Sequence, residues 1–208
     1  MTDHGRSKGR LIVVSGPSGA GKSTLIKDAL ESLPELAYSV SATTRPPREG
    51  EIEGRDYIFL SREVFERWIS EGRFLEFAEY SGNLYGTPEH PVEESLERGL
   101  SVILEIELQG AREVRARRPD AVMIFVRAPS LDETRRRLEG RATETSEAMQ
   151  SRMETAVREV SASGEFDLEL INGDRETARQ SMLELMQSIM ETPRSARSAK
   201  GESSAERA

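Results

Sequence analysis

The run Gly16-Pro17-Ser18-Gly19-Ala20-Gly21-Lys22-Ser23-Thr24 follows the apolar stretch Leu11-Ile12-Val13-Val14 after a single serine. Glycines at 16 and 21 let the backbone curl around phosphate oxygens and aim its N–H groups inward. A loop that then enters a helix adds the positive end of the helix dipole. In this pattern Lys22 reaches the outer phosphates and the Ser23 hydroxyl sits on a magnesium ion. The motif therefore implies binding of a nucleoside triphosphate, with Lys22 expected in an exposed loop where it supplies charge rather than packing. A glycine-rich turn without a ligand is the plainer reading. The buried-type strand before the motif, and the helix-forming stretch 24–33 stopped by Pro34 after it, favour phosphate.

A second constellation lies at 41–57. Ser41-Ala42-Thr43-Thr44-Arg45-Pro46-Pro47-Arg48-Glu49-Gly50-Glu51 sets two arginines three apart in a proline-braced segment, and Gly54-Arg55-Asp56-Tyr57 follows. Two guanidinium forks and a phenol suit one anion, because the planar donors of arginine engage phosphate oxygens two at a time. Tyr85-Gly86-Thr87-Pro88 adds another phenol and a hydroxyl. Taken singly, each is more often a solvated charge or a core-edge tyrosine; their concentration in one segment favours a site. Farther on, the strand-like run 102–107 carries Glu105 and Glu107, expected to point to opposite sides or at least to serve different partners. Arg135, Arg136, Arg137 and Arg141 come next, and then Arg152 and Arg158 on a further helical stretch. A charge run on helices is ordinarily a solvated face.

The elements that must position these residues alternate strand and helix. Strand-like runs at 11–15, 100–107, 121–126 and 168–171 are interleaved with helical stretches at 91–98, 109–117, 131–139, 147–160 and 175–190. This is the pattern of a parallel sheet flanked by helices. The region 38–85 breaks the rhythm, with strand-like pieces at 38–41, 57–60 and 74–80 and one helix, 62–71, capped by Ser61 and ended by Gly72. It reads as an insertion near the phosphate loop. Residues 1–9 and 193–208 lack apolar periodicity and read as disordered tails.

Composition narrows the function classes. The chain has 208 residues, 36% of them hydrophobic, enough for one ordinary domain with a mobile part. No cysteine is present, which excludes disulfides, thiol catalysis and cysteine-bound metals. A net charge of −8 argues against broad nucleic-acid binding. No apolar run is long enough for a membrane span or a signal-peptide core, so a cytoplasmic location is expected. His4 and His90 are isolated and expected at the surface, and no metal-ligand cluster is visible.

The loop spelled GPSGAGKS, the segment SATTRPPREGEIEGRDYIF, the stretch FLEFAEYSGNLYGTP and the strand ILEIELQGA occur in the order and spacing of guanylate kinases. Over about residues 10–190 the chain resembles that family. The resemblance implies a P-loop nucleoside-monophosphate-kinase fold, α/β, with a core at 10–37, 88–128 and 160–192, a GMP-binding insertion at 38–87 and a helical lid at 129–159. It implies transfer of the γ-phosphoryl group of ATP to GMP, and to dGMP beside it, with Mg2+. The partners implied are these small molecules alone, with neither nucleic acid nor membrane; a homo-oligomer is left open.

Position by position, the family pattern sets the GMP phosphate among Arg45, Arg48, Tyr57 and Tyr85, and the guanine against Ser41, Glu76 and Thr87. Guanine offers N–H donors at N1 and N2 beside the acceptor O6. A carboxylate at Glu76 accepts from both donors while Thr87 donates to O6; adenine would leave that carboxylate unpaired. The pattern also has Glu105 acting on Mg2+ through water and Glu107 facing the monophosphate side. Arg48, Arg141 and Arg152 join Lys22 around the transferring phosphoryl, and Asn172 meets the adenine edge of ATP or simply forms a turn with Gly173. Two rival classes remain. A ribose-bisphosphate kinase would lack the guanine-reading set, and a non-catalytic peptide-binding relative would degrade the loop that Lys22 and Ser23 keep intact.

Overall fold

The computed structural model describes residues 8–80, 82–139 and 146–192. Arg141 and the segments 1–7 and 193–208 lie outside the described residues, and with them most of both expected tails. The grouping of Lys8 and Gly9 with the N-terminal tail is corrected. The Gly9 N–H donates to the Leu96 carbonyl at 2.8 Å, and Lys8 pairs with Glu93 at 2.8 Å.

A five-stranded parallel sheet forms the centre. Its strands are β1 (Leu11–Ser15), β2 (Leu36–Tyr38), β7 (Ser101–Glu105), β8 (Val122–Arg127) and β9 (Leu168–Ile171), in the order β2-β7-β1-β8-β9. The three central strands β7, β1 and β8 read as apolar runs because both faces are covered, while the edge strands β2 and β9 are only partly buried. Alternate residues serve opposite sides. Ile12 and Val14 join Leu25 and Ile26 of α1 (Lys22–Ser32) and Met182 and Met186 of α7 (Arg175–Glu191). Leu11 and Val13 pack with Val92 and Leu96 of α3 (Glu89–Glu97) and with Ala111 and Val114 of α4 (Leu108–Arg117). From β1 the chain crosses to β2 on one side, and from β7 it passes over β1 to β8 on the other. A crevice therefore opens at the carboxyl end of β1, the place where open α/β sheets bind ligands.

The insertion is a second sheet. It comprises β3 (Ala42–Thr43), β4 (Ile58–Phe59), β5 (Phe74–Tyr80) and β6 (Asn83–Pro88), in the order β4-β3-β6-β5, with α2 (Arg62–Ser70) beside it. Ser61 caps α2 as expected, accepting from the Val64 N–H at 3.3 Å. A small core of Phe65, Phe74 and Leu84 holds it, with the Phe65 and Phe74 rings stacked at 4.4 Å. Two expectations change here. The piece anticipated at 38–41 is divided: Tyr38 pairs with Ile103 in the main sheet, and a new strand begins only at Ala42. The segment around Tyr85 and Thr87 is itself a strand, β6, paired to β3 and β5.

Between β8 and β9 run α5 (Leu131–Glu139), α6 (Ser146–Ser161) and a single 3-10 turn (Ser163–Glu165). α5 and α6 pack together. No described helix is long and apolar enough to cross a membrane.

Candidate active site

The phosphate loop leaves β1 at its carboxyl end. At Gly16 the φ is 140°, and an added Cβ would collide with the Val126 carbonyl of the neighbouring strand. Gly21, with φ 83°, is the N-cap of α1, and a Cβ there would collide with the Asn172 amide. Both positions demand glycine for sterically distinct reasons. Asn172 stands at the end of β9, and its Nδ2 donates to the Ala20 carbonyl at 2.8 Å. Arg137 donates to the Asn172 carbonyl at 2.8 Å, so α5, β9 and the loop are fastened at one corner.

The expectation of an exposed Lys22 is corrected. The residue is 9% exposed, and its ammonium donates to the Gly16 carbonyl at 2.5 Å and to the Pro17 carbonyl at 3.2 Å. A loop whose N–H groups turn inward directs carbonyls the other way, and a cation rooted at the helix start is close enough to donate to them; the Pro17 carbonyl also accepts the Ala20 N–H at 3.1 Å. The Ser23 hydroxyl donates to Glu105 Oε1 at 2.7 Å. A hydroxyl and a carboxylate meeting beside the phosphate loop are the hard oxygen donors that Mg2+ takes. Among the described residues no cluster of three or more His, Cys, Asp or Glu could hold a metal.

Glu105 ends β7, while Glu107 is already the N-cap of α4. Had the strand continued, residues two apart would share a face. Instead the backbone turns between them, and both carboxylates still reach one cleft of about 610 Å3. Glu159 of α6 is buried beside Glu107, and burial followed by that like charge pushes its carboxyl above the usual carboxylate range.

The same cleft is lined by Ser18, Gly19, Gly21, Lys22, Ser23 and Thr24 on the core side. Ser41, Tyr57, Glu76 and Tyr85 line it on the insertion side. The sequence-predicted residues thus converge from segments far apart in the chain. Tyr38, Glu51 and Gly110 also line it, none of them singled out from sequence.

Arg45 and Arg48 are not on the wall itself. The Arg45 guanidinium is held bidentately by Glu51, at 3.0 and 2.8 Å, and lies 5.3 Å from the Tyr57 ring centre. Glu51 also accepts from the Arg48 backbone N–H at 2.7 Å, while the Arg48 side chain is exposed. The Arg45 hydrogen bonds, more than any other influence, hold the Glu51 carboxyl below its ordinary range. The fork therefore already binds a planar oxyanion within the chain, which is the geometry a phosphate needs.

Glu76 is 5% exposed. The register of β5 and β6 shifts between Phe74 and Glu76, so that Glu76 comes opposite Thr87, whose hydroxyl donates to Glu76 Oε1 at 2.6 Å. A hydroxyl carries one proton, and in this structure Thr87 spends it on Glu76, so it is not free to donate to a base O6 in the same arrangement. Burial pushes the Glu76 carboxyl up to about 7, against the opposing pull of the Thr87 hydrogen bond.

On the lid side, Arg152 of α6 donates to the Ser18 hydroxyl at 2.9 Å, which sets this arginine against the phosphate loop. A wider groove of about 1020 Å3 between α5 and α6, lined by Leu131, Met149, Met153 and Val157, has no phosphate cradle.

Comparison with known proteins agrees with this assembly. The family model described as guanylate kinase matches residues 8–189. The chain is 75% identical over 183 residues to the guanylate kinase of Rubrobacter xylanophilus, covering 88% of this chain and 96% of that protein. It is 48% identical over 181 residues to the guanylate kinase of Trichormus variabilis, covering 87% and 91%. The crystal structure of guanylate kinase from Anaplasma phagocytophilum superposes with a TM-score of 0.72 at 32% identity, covering 90% of this chain and 89% of that one. Matched over its fold, its loop and its insertion, the chain belongs to the guanylate kinase family.

Proposed function

We propose that the chain transfers the γ-phosphoryl group of ATP to GMP, giving ADP and GDP. The observation that carries this reading is a single cleft lined by the phosphate loop on one side and by the buried carboxylate of Glu76 on the other. Glu76 reads guanine N1 and N2, and Ser41 faces the same base. Arg45, Arg48, Tyr57 and Tyr85 take the acceptor phosphate, and the loop 16–24 takes the donor phosphates. Ser23 and Glu105 would hold Mg2+, which supplies charge neutralisation on the phosphate oxygens when bound.

The acceptor phosphate is already an anion, so no general base is needed. Catalysis is alignment plus positive charge around the phosphoryl group. Lys22 supplies that charge from the loop and Arg152 from the lid, while Asn172 fixes the loop from beneath. Arg141, placed by sequence alone, joins Arg152. A coupled assay of ADP formation with GMP, AMP, CMP, UMP and a ribose bisphosphate as acceptors tests the reading. Turnover with GMP far above the rest is expected, and equal turnover with a ribose bisphosphate would overturn it.

Arg152→Met is expected to lower kcat by about tenfold while changing KM for GMP little, because the interaction acts mainly in the transition state. An unchanged kcat would reduce Arg152 to a peg on Ser18. A pH profile gives a second expectation. Glu76 must be ionised to accept from both guanine donors, and its carboxyl titrates at about 7. Below that pH, kcat/KM for GMP should fall by up to about tenfold per unit. The GMP phosphate itself titrates near about 6. The control is Glu76→Gln, whose profile must lose the limb near 7.

A further inference from the structure

Gly110 stands at the third position of α4, inside a helix, where glycine is an unfavourable choice compared with alanine. The reason for it lies across the cleft. A Cβ on Gly110 would fall 2.5 Å from Glu76 Oε2, 3.0 Å from its Cδ and 3.4 Å from its Cγ. The other oxygen, Oε1, is held by Thr87. The buried carboxylate is thus held at Oε1 by Thr87, with Oε2 occupying the space that a side chain at position 110 would take. One turn farther along the same helix, the Glu113 carboxylate accepts the backbone N–H of Phe77 at 3.3 Å, which ties down the strand just past Glu76. α4 therefore approaches the Glu76 side chain with bare backbone and anchors the backbone beside it. Because its N-cap is Glu107, the helix also ties the monophosphate-side carboxylate to the same rigid body.

We propose that Gly110 is a positioning residue for base recognition: the missing side chain creates the space in which the Glu76 carboxylate keeps both oxygens in register with two adjacent N–H donors of a purine. The proposal rests on the reading of Glu76 as the guanine reader. The atom a Cβ would meet is the end of a side chain and not backbone, so the fold tolerates a methyl group while the carboxylate moves.

The test is a cycle of Gly110→Ala, Glu76→Asp and the double variant, with kcat and KM measured for GMP and IMP, and Tm for each protein. Gly110→Ala is expected to raise KM for GMP at least about tenfold with kcat little changed, and to leave Tm equal or higher. The GMP-to-IMP ratio of kcat/KM should fall, since the second donor is lost first. Aspartate is one methylene shorter and withdraws from the added methyl. The double variant should therefore bind GMP at least about threefold better than the product of the two single effects. An unchanged KM in Gly110→Ala, or strictly multiplicative effects, would overturn the proposal. Glu76→Gln separates the two failures. If it leaves the GMP-to-IMP ratio unchanged, the reading of Glu76 itself fails; if it shifts the ratio and Gly110→Ala does not, only the role of Gly110 falls.

Discussion

Lys22→Ala is expected to lower kcat by at least about a hundredfold, the scale on which removal of a single charge-stabilising group acts. The ammonium lies over the carbonyls of Gly16 and Pro17, at the mouth of the loop that receives the donor phosphates. Negative charge gathers on the bridging and outer oxygens as the phosphoryl group leaves, and this is the cation already in place to meet it. The structure adds a competing cause of lost activity. Lys22 is buried, and losing it removes a donor from the Gly16 and Pro17 carbonyls, of which Pro17 keeps the Ala20 N–H at 3.1 Å, so loosening of the loop is a second source of the effect. Lys22→Met keeps the stem but removes the donor to these carbonyls together with the charge, so kcat has to be read beside Tm. The expected result is a comparable fall in kcat with Tm lowered by no more than about 4 °C, equivalent at this size to roughly 1–2 kcal/mol. A near-normal kcat in Lys22→Met would refute the role of the charge. A fall in kcat matched by loss of the folded signal would assign the residue to structure instead.

The burial of Lys22 shows where sequence reasoning stops. The loop itself is legible because its chemistry is contiguous: glycines, lysine and serine at fixed spacing between an apolar strand and a helix. What the lysine does without phosphate depends on where the loop turns its carbonyls, and backbone polarity leaves no trace in the residue pattern. The main sheet is legible for a similar reason. Covered on both faces, its central strands β7, β1 and β8 read as apolar runs, and Ile12 and Leu11 differ only in which layer they enter.

The insertion was harder to read. β6 carries Gly86 and Pro88 and reads locally as a turn; it is a strand because β3 and β5 pair with it on either side. β5 has mixed periodicity because successive residues enter three environments. Phe74 packs in the small core of the insertion, Leu75 in the main core beneath α4, and Glu76 in the cleft, with the register shift between them. From the pattern alone Glu76 could as well be a solvated strand residue, and only the family resemblance separates the two. Glu51 escaped notice because its partner Arg45 is six residues away, a pairing that requires the proline-braced turn to have folded. Gly110 looks like a flaw in a helix until the carboxylate across the cleft is seen.

Glu76→Gln tests substrate choice and the cost of that choice together. The amide keeps size and shape but presents one acceptor and one donor, so it cannot accept from both N1 and N2 of guanine. The loss for GMP should be about 1.5–3 kcal/mol, or one to two decades in kcat/KM. IMP lacks the N2 amine and should lose less, so the GMP-to-IMP ratio ought to fall. Stability should move the other way. The Glu76 carboxyl is raised from 4.5 to about 7 in the folded protein, chiefly by burial. An acid raised in this way favours the fold fully only below its unfolded value. Its contribution is lost as pH rises through the window from 4.5 to about 7, and above that window the buried charge counts against the fold. The neutral amide escapes this penalty. At pH 8 the variant should therefore be more stable than the parent by about 1–3 kcal/mol, seen as a higher Tm, with the gap closing toward pH 5. A variant that binds GMP poorly and melts lower at pH 8 would mean that the amide disrupts the Thr87 contact rather than the reading of the base. A weaker GMP enzyme with a higher alkaline Tm is the outcome required if the carboxylate is kept buried for the sake of guanine.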